Sequence, residues 1–89
     1  MIISKLEFLS RTQLDQETLD ICMSEEWLLP AEASGEPAFS EIDLARAKLI
    51  RDLKHDMGVN NEGIGIILDL LDQMHSLRQA MAETLASRR

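Results

Sequence analysis

The sequence predicts a single all-α domain built as a winged helix-turn-helix, with about four helices, a short wing and a long C-terminal helix. Three observations lead to this prediction. Residues 12–30, TQLDQETLDICMSEEWLLP, have the pattern of a turn, a short helix and an extended apolar segment. Residues 31–39 contain Gly35 and Pro37 and therefore predict a loop or small hairpin. Residues 60–87 repeat apolar side chains at helical spacing, and a chain of 89 residues can enclose one modest core.

Two short helices are expected at the start of the chain. The first spans residues 5–11 with Ser4 as its N-cap, and the second spans residues 15–23 with Asp15 as its N-cap. A tight turn at residues 12–14 joins them. The apolar side chains that recur at helical spacing should face the core: Leu6, Leu9, Leu19, Cys22 and Met23.

The middle of the chain predicts an extended segment followed by a small β wing. Residues 27–30, WLLP, are apolar and end in a proline, which suits an extended crossing under the domain. The Ser34-Gly35 turn folds the next segment back on itself, and Phe39 is the apolar anchor of this wing. Trp27 is expected either to fill the small core or to anchor an interface with a partner, and the core is the preferred interpretation.

The third helix is expected to begin after Ser40 and to end before Gly58. Ser40 and Asp43 have the spacing of a capping box, with Asp43 in place of the usual Glu or Gln. Gly58 is placed to adopt the left-handed backbone conformation that commonly follows the last residue of a helix. The inward face is predicted to hold Ile42, Ala45, Leu49, Leu53 and Met57.

The fourth helix is the longest predicted element. It starts after Asn60 or Asn61 as N-cap and runs to about Ser87, which is roughly 40 Å at ~1.5 Å per residue. Gly63 and Gly65 in its first turns predict a close approach of the third helix. Because the helix outruns the domain that could cover it, we expect its second part to pair with another chain. The predicted dimerisation residues are Leu70, Met74, Leu77 and Met81.

The sequence divides into two parts of one structural domain, and its charge is distributed unevenly along the chain. Residues 1–59 form the winged helix-turn-helix with its third helix, and residues 60–89 form the long arm. Residues 1–40 carry two basic and eight acidic residues, a net charge of −6, whereas residues 41–89 carry seven and eight, a net charge of −1. An acidic first half favours a basic partner, although acidity that only keeps a small protein in solution explains the composition equally well.

The second helix has the wrong charge for a DNA reader. Helix-turn-helix proteins usually place this helix against DNA, yet residues 15–23 contain three acidic residues and no Lys or Arg. DNA-binding proteins gain most of their affinity from cations on phosphates. The sequence therefore argues against nucleic acid as the partner.

No motif for catalysis, a cofactor or a metal is recognisable. Cys22, His55 and His75 lie far apart without paired ligand spacing, and no Ser, Cys and His cluster suggests a nucleophile. We therefore expect no enzymatic activity, no cofactor and no metal. The single cysteine fits a reducing compartment, no apolar run approaches the roughly 20 residues of a membrane span, and no secretory signal opens the sequence. A cytoplasmic protein without a membrane partner is expected.

Two blocks of sequence carry a resemblance to a known family. One is residues 14–19, LDQETL, followed by residues 27–30, WLLP. The other, more specific block is residues 51–60, RDLKHDMGVN, continued by residues 63–72, GIGIILDLLD. With the order of elements over residues 6–77, these blocks resemble the MerR-like winged-helix superfamily and, within it, the CbpM chaperone-modulator family.

The resemblance implies a protein-binding function. CbpM-like proteins bind the J-domain of a DnaJ- or CbpA-like co-chaperone and restrain its stimulation of Hsp70. DNA-binding MerR regulators, by contrast, carry arginine and tyrosine in the second helix and basic residues in the wing. This chain has no tyrosine, and its wing carries Glu32 and Glu36. Since a J-domain presents a basic helix to Hsp70, an acidic protein would suit that face.

Two surfaces are predicted to bind this partner, and two alternative functions remain. The acidic surface consists of Asp15, Glu17, Asp20, Glu25 and Glu26. The polar ridge of the third helix consists of Arg51, Lys54, His55 and Asp56. One alternative is a MerR-like DNA-binding transcription regulator with four possible phosphate contacts, Arg46, Lys48, Arg51 and Lys54. The other is an oligomerisation or adaptor module that acts through the C-terminal helix, in which case a homodimer is the simplest assembly.

Overall fold

The computed structural model describes residues 2–88, which form four α-helices and one two-stranded antiparallel sheet. The order is α1 (Lys5–Thr12), α2 (Gln16–Ser24), β1 (Ala31–Ala33), β2 (Glu36–Ala38), α3 (Glu41–Arg51) and α4 (Asn61–Ser87). A π-helical turn, Asp52–Asp56, continues α3. The predicted mainly helical fold, a winged helix-turn-helix with a short wing and a long last helix, is confirmed. The outermost residues of the two predicted parts, 1 and 89, lie outside the described range.

Local sequence signals set the start of each helix. Every α-helix begins after a polar side chain that accepts the backbone N–H three residues further on: Ser4, Asp15, Ser40 and Asn60. At α3 the capping box is reciprocal, because the Asp43 carboxylate also accepts the Ser40 backbone N–H at 2.9 Å. These contacts satisfy backbone donors that would otherwise lack a partner, which is why the predicted helix starts agree with the structure.

The core is centred on two stacked aromatic rings. The rings of Phe8 and Phe39 lie with centroids 3.9 Å apart and an interplanar angle of 14°. Phe39 also exchanges two backbone hydrogen bonds with Ile3, of 2.8 and 2.9 Å, which attach the start of the chain to the wing. Trp27 is 7% exposed and belongs to the same core, as preferred from the sequence. α4 contributes its first turns to the core, where Ile64 and Leu68 are buried.

The inward face of α1 differs from the prediction. Leu6 is 83% exposed, so its assignment to the core was wrong, whereas Leu9 packs partly against the core. Phe8, between them, is fully buried. The larger ring takes the inward position because it stacks on Phe39, a residue 31 positions away that local periodicity cannot reveal.

The inward face of α3 is also rotated relative to the prediction. Ile42, Ala45 and Met57 are exposed, so three of the five predicted core positions were wrong. The buried positions of the helix are Leu44, Ala47 and Ile50. Of the predicted set, Leu53 is buried and Leu49 is partly buried. α3 has apolar residues on more than one side, so its orientation depends on the elements that pack against it.

The two glycines of α4 have a different explanation from the predicted contact with α3. A Cβ added at Gly63 would lie 2.8 Å from Val59 Cγ1 and 3.1 Å from Asn60 Oδ1. The close approach at Gly63 is therefore with the segment that leads into α4. A Cβ at Gly65 would lie 3.6 Å from Trp27 Nε1, an ordinary contact distance.

The turn between α1 and α2 holds a strained residue. Gln13 has φ +60° and ψ +26°, a left-handed conformation that disfavours side chains with a Cβ. We expect Gln13→Gly to raise the free energy of unfolding by about 0.5–1 kcal/mol, because relief of ~1–2 kcal/mol of strain exceeds the extra flexibility of the unfolded chain. Urea titration at constant pH measures the change. Ser10→Gly, at an exposed helical position of α1, should lower stability instead. A loss of stability in both variants would contradict the assigned turn.

Candidate protein-binding surfaces

The acidic face of the protein follows α2 and the turn after it. Its members, all exposed, are Asp15, Glu17, Asp20, Glu25 and Glu26. Glu17 and Asp20 are three residues apart on α2 and are therefore neighbours on the helix surface. Within residues 2–88 none of the five carboxylates forms an ion pair. The acidic face thus keeps its negative charge available to an external cation.

Asp15 has a structural task in addition to its charge. Its carboxylate accepts the Thr18 backbone N–H at 2.8 Å and so caps α2. Hydrogen bonding by Thr18 lowers the pKa of Asp15, and the nearby charges of His55 and Lys54 act in the same direction. A lowered folded-state pKa means that the stabilisation is present above the ordinary pKa of an aspartate and is lost as the pH falls through the folded-state value. Changes at Asp15 would therefore mix folding with binding.

The polar ridge predicted on the third helix is partly committed to internal contacts. Arg51 donates a hydrogen bond of 3.0 Å to the Thr12 carbonyl, which ties the end of α1 to α3. The same guanidinium donates to Asp52 Oδ1. Lys54 Nζ donates to Asn61 Oδ1 at 3.2 Å, across the turn into α4. The remaining ridge residues, His55 and Asp56, are exposed.

Arg46 is a structural residue that sequence reasoning placed among possible phosphate contacts. Its Nε donates to the Trp27 carbonyl, and its two terminal nitrogens donate to the two Asp72 oxygens at 2.8 and 3.1 Å. The hydrogen bond from Arg46, reinforced by its charge, lowers the pKa of Asp72. Through these hydrogen bonds Arg46 forms a clamp between three elements. They are its own helix α3, the segment that follows α2, and the helix α4. Asp72 lies 26 residues from Arg46, so no local sequence pattern indicates the pair.

The second part of α4 is exposed along its length. All positions from residue 69 to residue 88 are exposed. We define the α4 stripe as the four predicted dimerisation residues, whose exposed fractions are 54%, 46%, 63% and 58% for Leu70, Met74, Leu77 and Met81. Their spacing of four, three and four residues places them on one side of the helix. An apolar row of this length on a solvated helix is typical of a protein interaction surface.

The described residues show no group of side chains suited to metal binding. Between residues 2 and 88, no three His, Cys, Asp or Glu side chains are grouped so that they could hold a metal ion. Cys22 is buried in the core, and burial raises the pKa of its thiol to about 11, so the reactive thiolate is scarce at neutral pH. None of the described helices combines the length and the apolar content that a transmembrane helix needs.

Comparison with known families identifies the fold group. Residues 3–85 match the family described as MerR HTH family regulatory protein, so the match extends from the first backbone bridge to the exposed end of α4. The chain belongs to the MerR HTH family. Such regulatory proteins are typically non-enzymatic. Comparisons with curated proteins and with solved structures give no significant match.

Most of the basic residues proposed as phosphate contacts in this MerR HTH protein are bonded within the chain. α2, the helix in the recognition position, is acidic and has no Lys or Arg. Of the four basic residues proposed as phosphate contacts, three donate to partners within the chain: Arg46, Arg51 and Lys54. Lys48 alone of the four has no such partner within residues 2–88. One free lysine supplies little of the phosphate neutralisation on which DNA affinity depends.

Proposed function

We propose that this MerR HTH family member is a cytoplasmic, non-enzymatic chaperone modulator. It binds the J-domain of a DnaJ- or CbpA-like co-chaperone and limits its stimulation of Hsp70. One observation carries the proposal: the helix in the recognition position presents an acidic face without ion pairs among residues 2–88. The two sequence blocks that resemble the CbpM family support the choice of partner.

Electrostatic attraction followed by steric occlusion explains how such binding would act. The acidic face attracts the basic helix that a J-domain offers to Hsp70, and this raises the association rate in a salt-dependent manner. Once bound, the protein covers the helix and competes with Hsp70. Each exposed ion pair contributes only about 0–1 kcal/mol, so the acidic face selects and orients the partner, and affinity must also come from apolar contacts.

The α4 stripe supports a second element of the proposal, a homodimer. Its residues are exposed in the single chain. Pairing with the same row of a second copy buries them by the geometry of a helical coiled coil. A homodimer presents two acidic faces, so it would bind two J-domains. If the protein acted as an adaptor through α4 alone, the acidic face would have no role in binding.

Charge reversal on α2 tests the proposed partner. The double variant Glu17→Lys/Asp20→Lys is expected to weaken J-domain binding about tenfold or more and to flatten its salt dependence, because it replaces two attractive charges by repulsive ones. Calorimetric titration of the full chain with a J-domain, at about 0.05 and 0.15 M salt, measures both effects. Neither residue is buried or caps a helix, so the fold should be preserved.

A matched control removes the effect of total charge. Asp69→Lys/Glu83→Lys makes the same change in net charge at exposed positions of α4 that lie off the α4 stripe, and its affinity should stay within about threefold of the native protein. Equal weakening by both double variants would contradict a role for α2. Salt-sensitive binding to duplex DNA without J-domain binding would replace the proposal with the transcription-regulator alternative.

A further inference from the structure

A groove lies between the end of α2 and the wing, outside both surfaces predicted from the sequence. Met23 on α2 forms one wall. Pro30, Ala31 and Pro37, from the entry to β1 and from β2, line the groove from the wing side. Glu32 and Glu36 also line it. Its volume of about 240 Å³ is below the ~300–1,000 Å³ typical of pockets for small ligands. The size suits one side chain from a protein partner.

The lining combines apolar surface with free negative charge. Met23 is a flexible thioether that adapts to different shapes, and the two prolines and Ala31 offer rigid apolar surface. Glu32 and Glu36 are exposed, and within residues 2–88 neither forms an ion pair. An anionic ligand or a nucleic acid backbone would be repelled. A long cationic side chain fits both features, because its stem packs on apolar surface while its charged end meets a carboxylate.

The groove is built on an element that is held in place. The two strands pair in a fixed register, Ala31 opposite Ala38 and Ala33 opposite Glu36. Their turn uses Ser34 and Gly35 with φ values of +54° and +80°. Phe39, directly after β2, is buried against Phe8. The backbone of the groove is therefore preformed, which limits the conformational entropy lost on binding.

We propose that this groove receives an arginine side chain from a basic helix of the protein partner. Arginine suits the site better than lysine, because its planar, weakly hydrated guanidinium stacks on apolar surface and forms two hydrogen bonds to one carboxylate. The groove supplies the apolar contact that the exposed acidic face lacks. That the helix belongs to a J-domain rests on the proposed function, whereas the chemistry of the occupant rests on the groove itself.

Filling the groove tests the proposal directly. Ala31→Phe places a ring in the groove and should weaken J-domain binding about tenfold or more. Ala45→Phe makes the same substitution at an exposed position of α3 that does not line the groove, and its affinity should stay within about threefold of the native value. Native affinity in Ala31→Phe, with the fold confirmed by circular dichroism, would overturn the groove while leaving J-domain binding in place.

A second experiment does not depend on the J-domain. The probe is a helical peptide with arginines along one face, and the readout is the backbone amide NMR spectrum of the full chain. We expect the largest shifts at Met23, Ala31 and Gly35, and we expect them to disappear when the arginines are replaced by glutamine. Shifts confined to the acidic face, or unchanged by glutamine, would refute the inference. Groove shifts without J-domain binding would instead retain the groove and reject the proposed partner.

Discussion

Phe39→Ala is expected to remove about 3–5 kcal/mol from the free energy of unfolding, the range for deleting a buried aromatic ring. Phe39 is 1% exposed, stacks on Phe8 and joins the start of the chain to the wing through its backbone. A domain of 89 residues has a total stability of about 4–13 kcal/mol at ~0.05–0.15 kcal/mol per residue. The variant should therefore lose a large part of its stability, with a fall in Tm of more than about 12 °C.

Leu6→Ala is the control for this experiment, and it also tests the corrected face of α1. Leu6 is 83% exposed, so its truncation should change stability by no more than about 0.5 kcal/mol. Thermal unfolding followed by far-ultraviolet circular dichroism, with urea titration at 25 °C, measures both variants. A large loss in Leu6→Ala together with a small loss in Phe39→Ala would show that α1 faces the core as the sequence pattern alone predicted.

The double variant Met74→Glu/Leu77→Glu is expected to convert the proposed homodimer to a monomer and to raise the Kd of self-association by about 100-fold or more. Both residues lie on the α4 stripe and are exposed in the single chain. In a paired state four carboxylates would be buried beside one another, and both desolvation and repulsion oppose this. In the monomer the two new carboxylates face water, so the domain itself should keep its stability. Sedimentation equilibrium over a range of concentrations measures the association.

Ser76→Glu/Gln79→Glu is the matched control, since it adds the same charge to the same part of α4 away from the α4 stripe. It should remain dimeric. A native protein that sediments as a monomer, or a stripe variant that sediments as a dimer, would contradict the homodimer. Titration of the monomeric stripe variant with a J-domain then separates the two functional proposals. Retained binding supports the acidic face as the working surface, and lost binding supports an adaptor function of α4.

Much of the local structure could be predicted because its causes are local. The N-caps Ser4, Asp15 and Ser40 each act on a backbone donor three residues away, and Gly58 takes the left-handed conformation expected after a helix. The Ser34-Gly35 turn likewise depends on its own two residues. Each of these features depends on residues no more than a few positions apart. A short stretch of sequence therefore contains all the residues involved.

The candidate surfaces were predicted less completely. The acidic face is exposed, as expected for charged residues on a short helix. Its role in binding stays a prediction. The groove beside the wing was missed because Met23 and Pro37 belong to elements that only the fold brings together. Its one sequence signal was a proline and two glutamates in the segment assigned to the wing, with a second proline directly before it.

The sequence by itself determined the helix starts, the position of the wing, the acidic character of α2 and the excess length of α4. Tertiary structure decided which side of each helix is buried. Phe8 replaced Leu6 in the core because it stacks on a distant ring, and Arg46 became a clamp because Asp72 comes near it in space. The physical reason is common to both cases. Periodicity gives the spacing of apolar residues along a helix, whereas burial and ion pairing depend on partners brought together only by the folded chain.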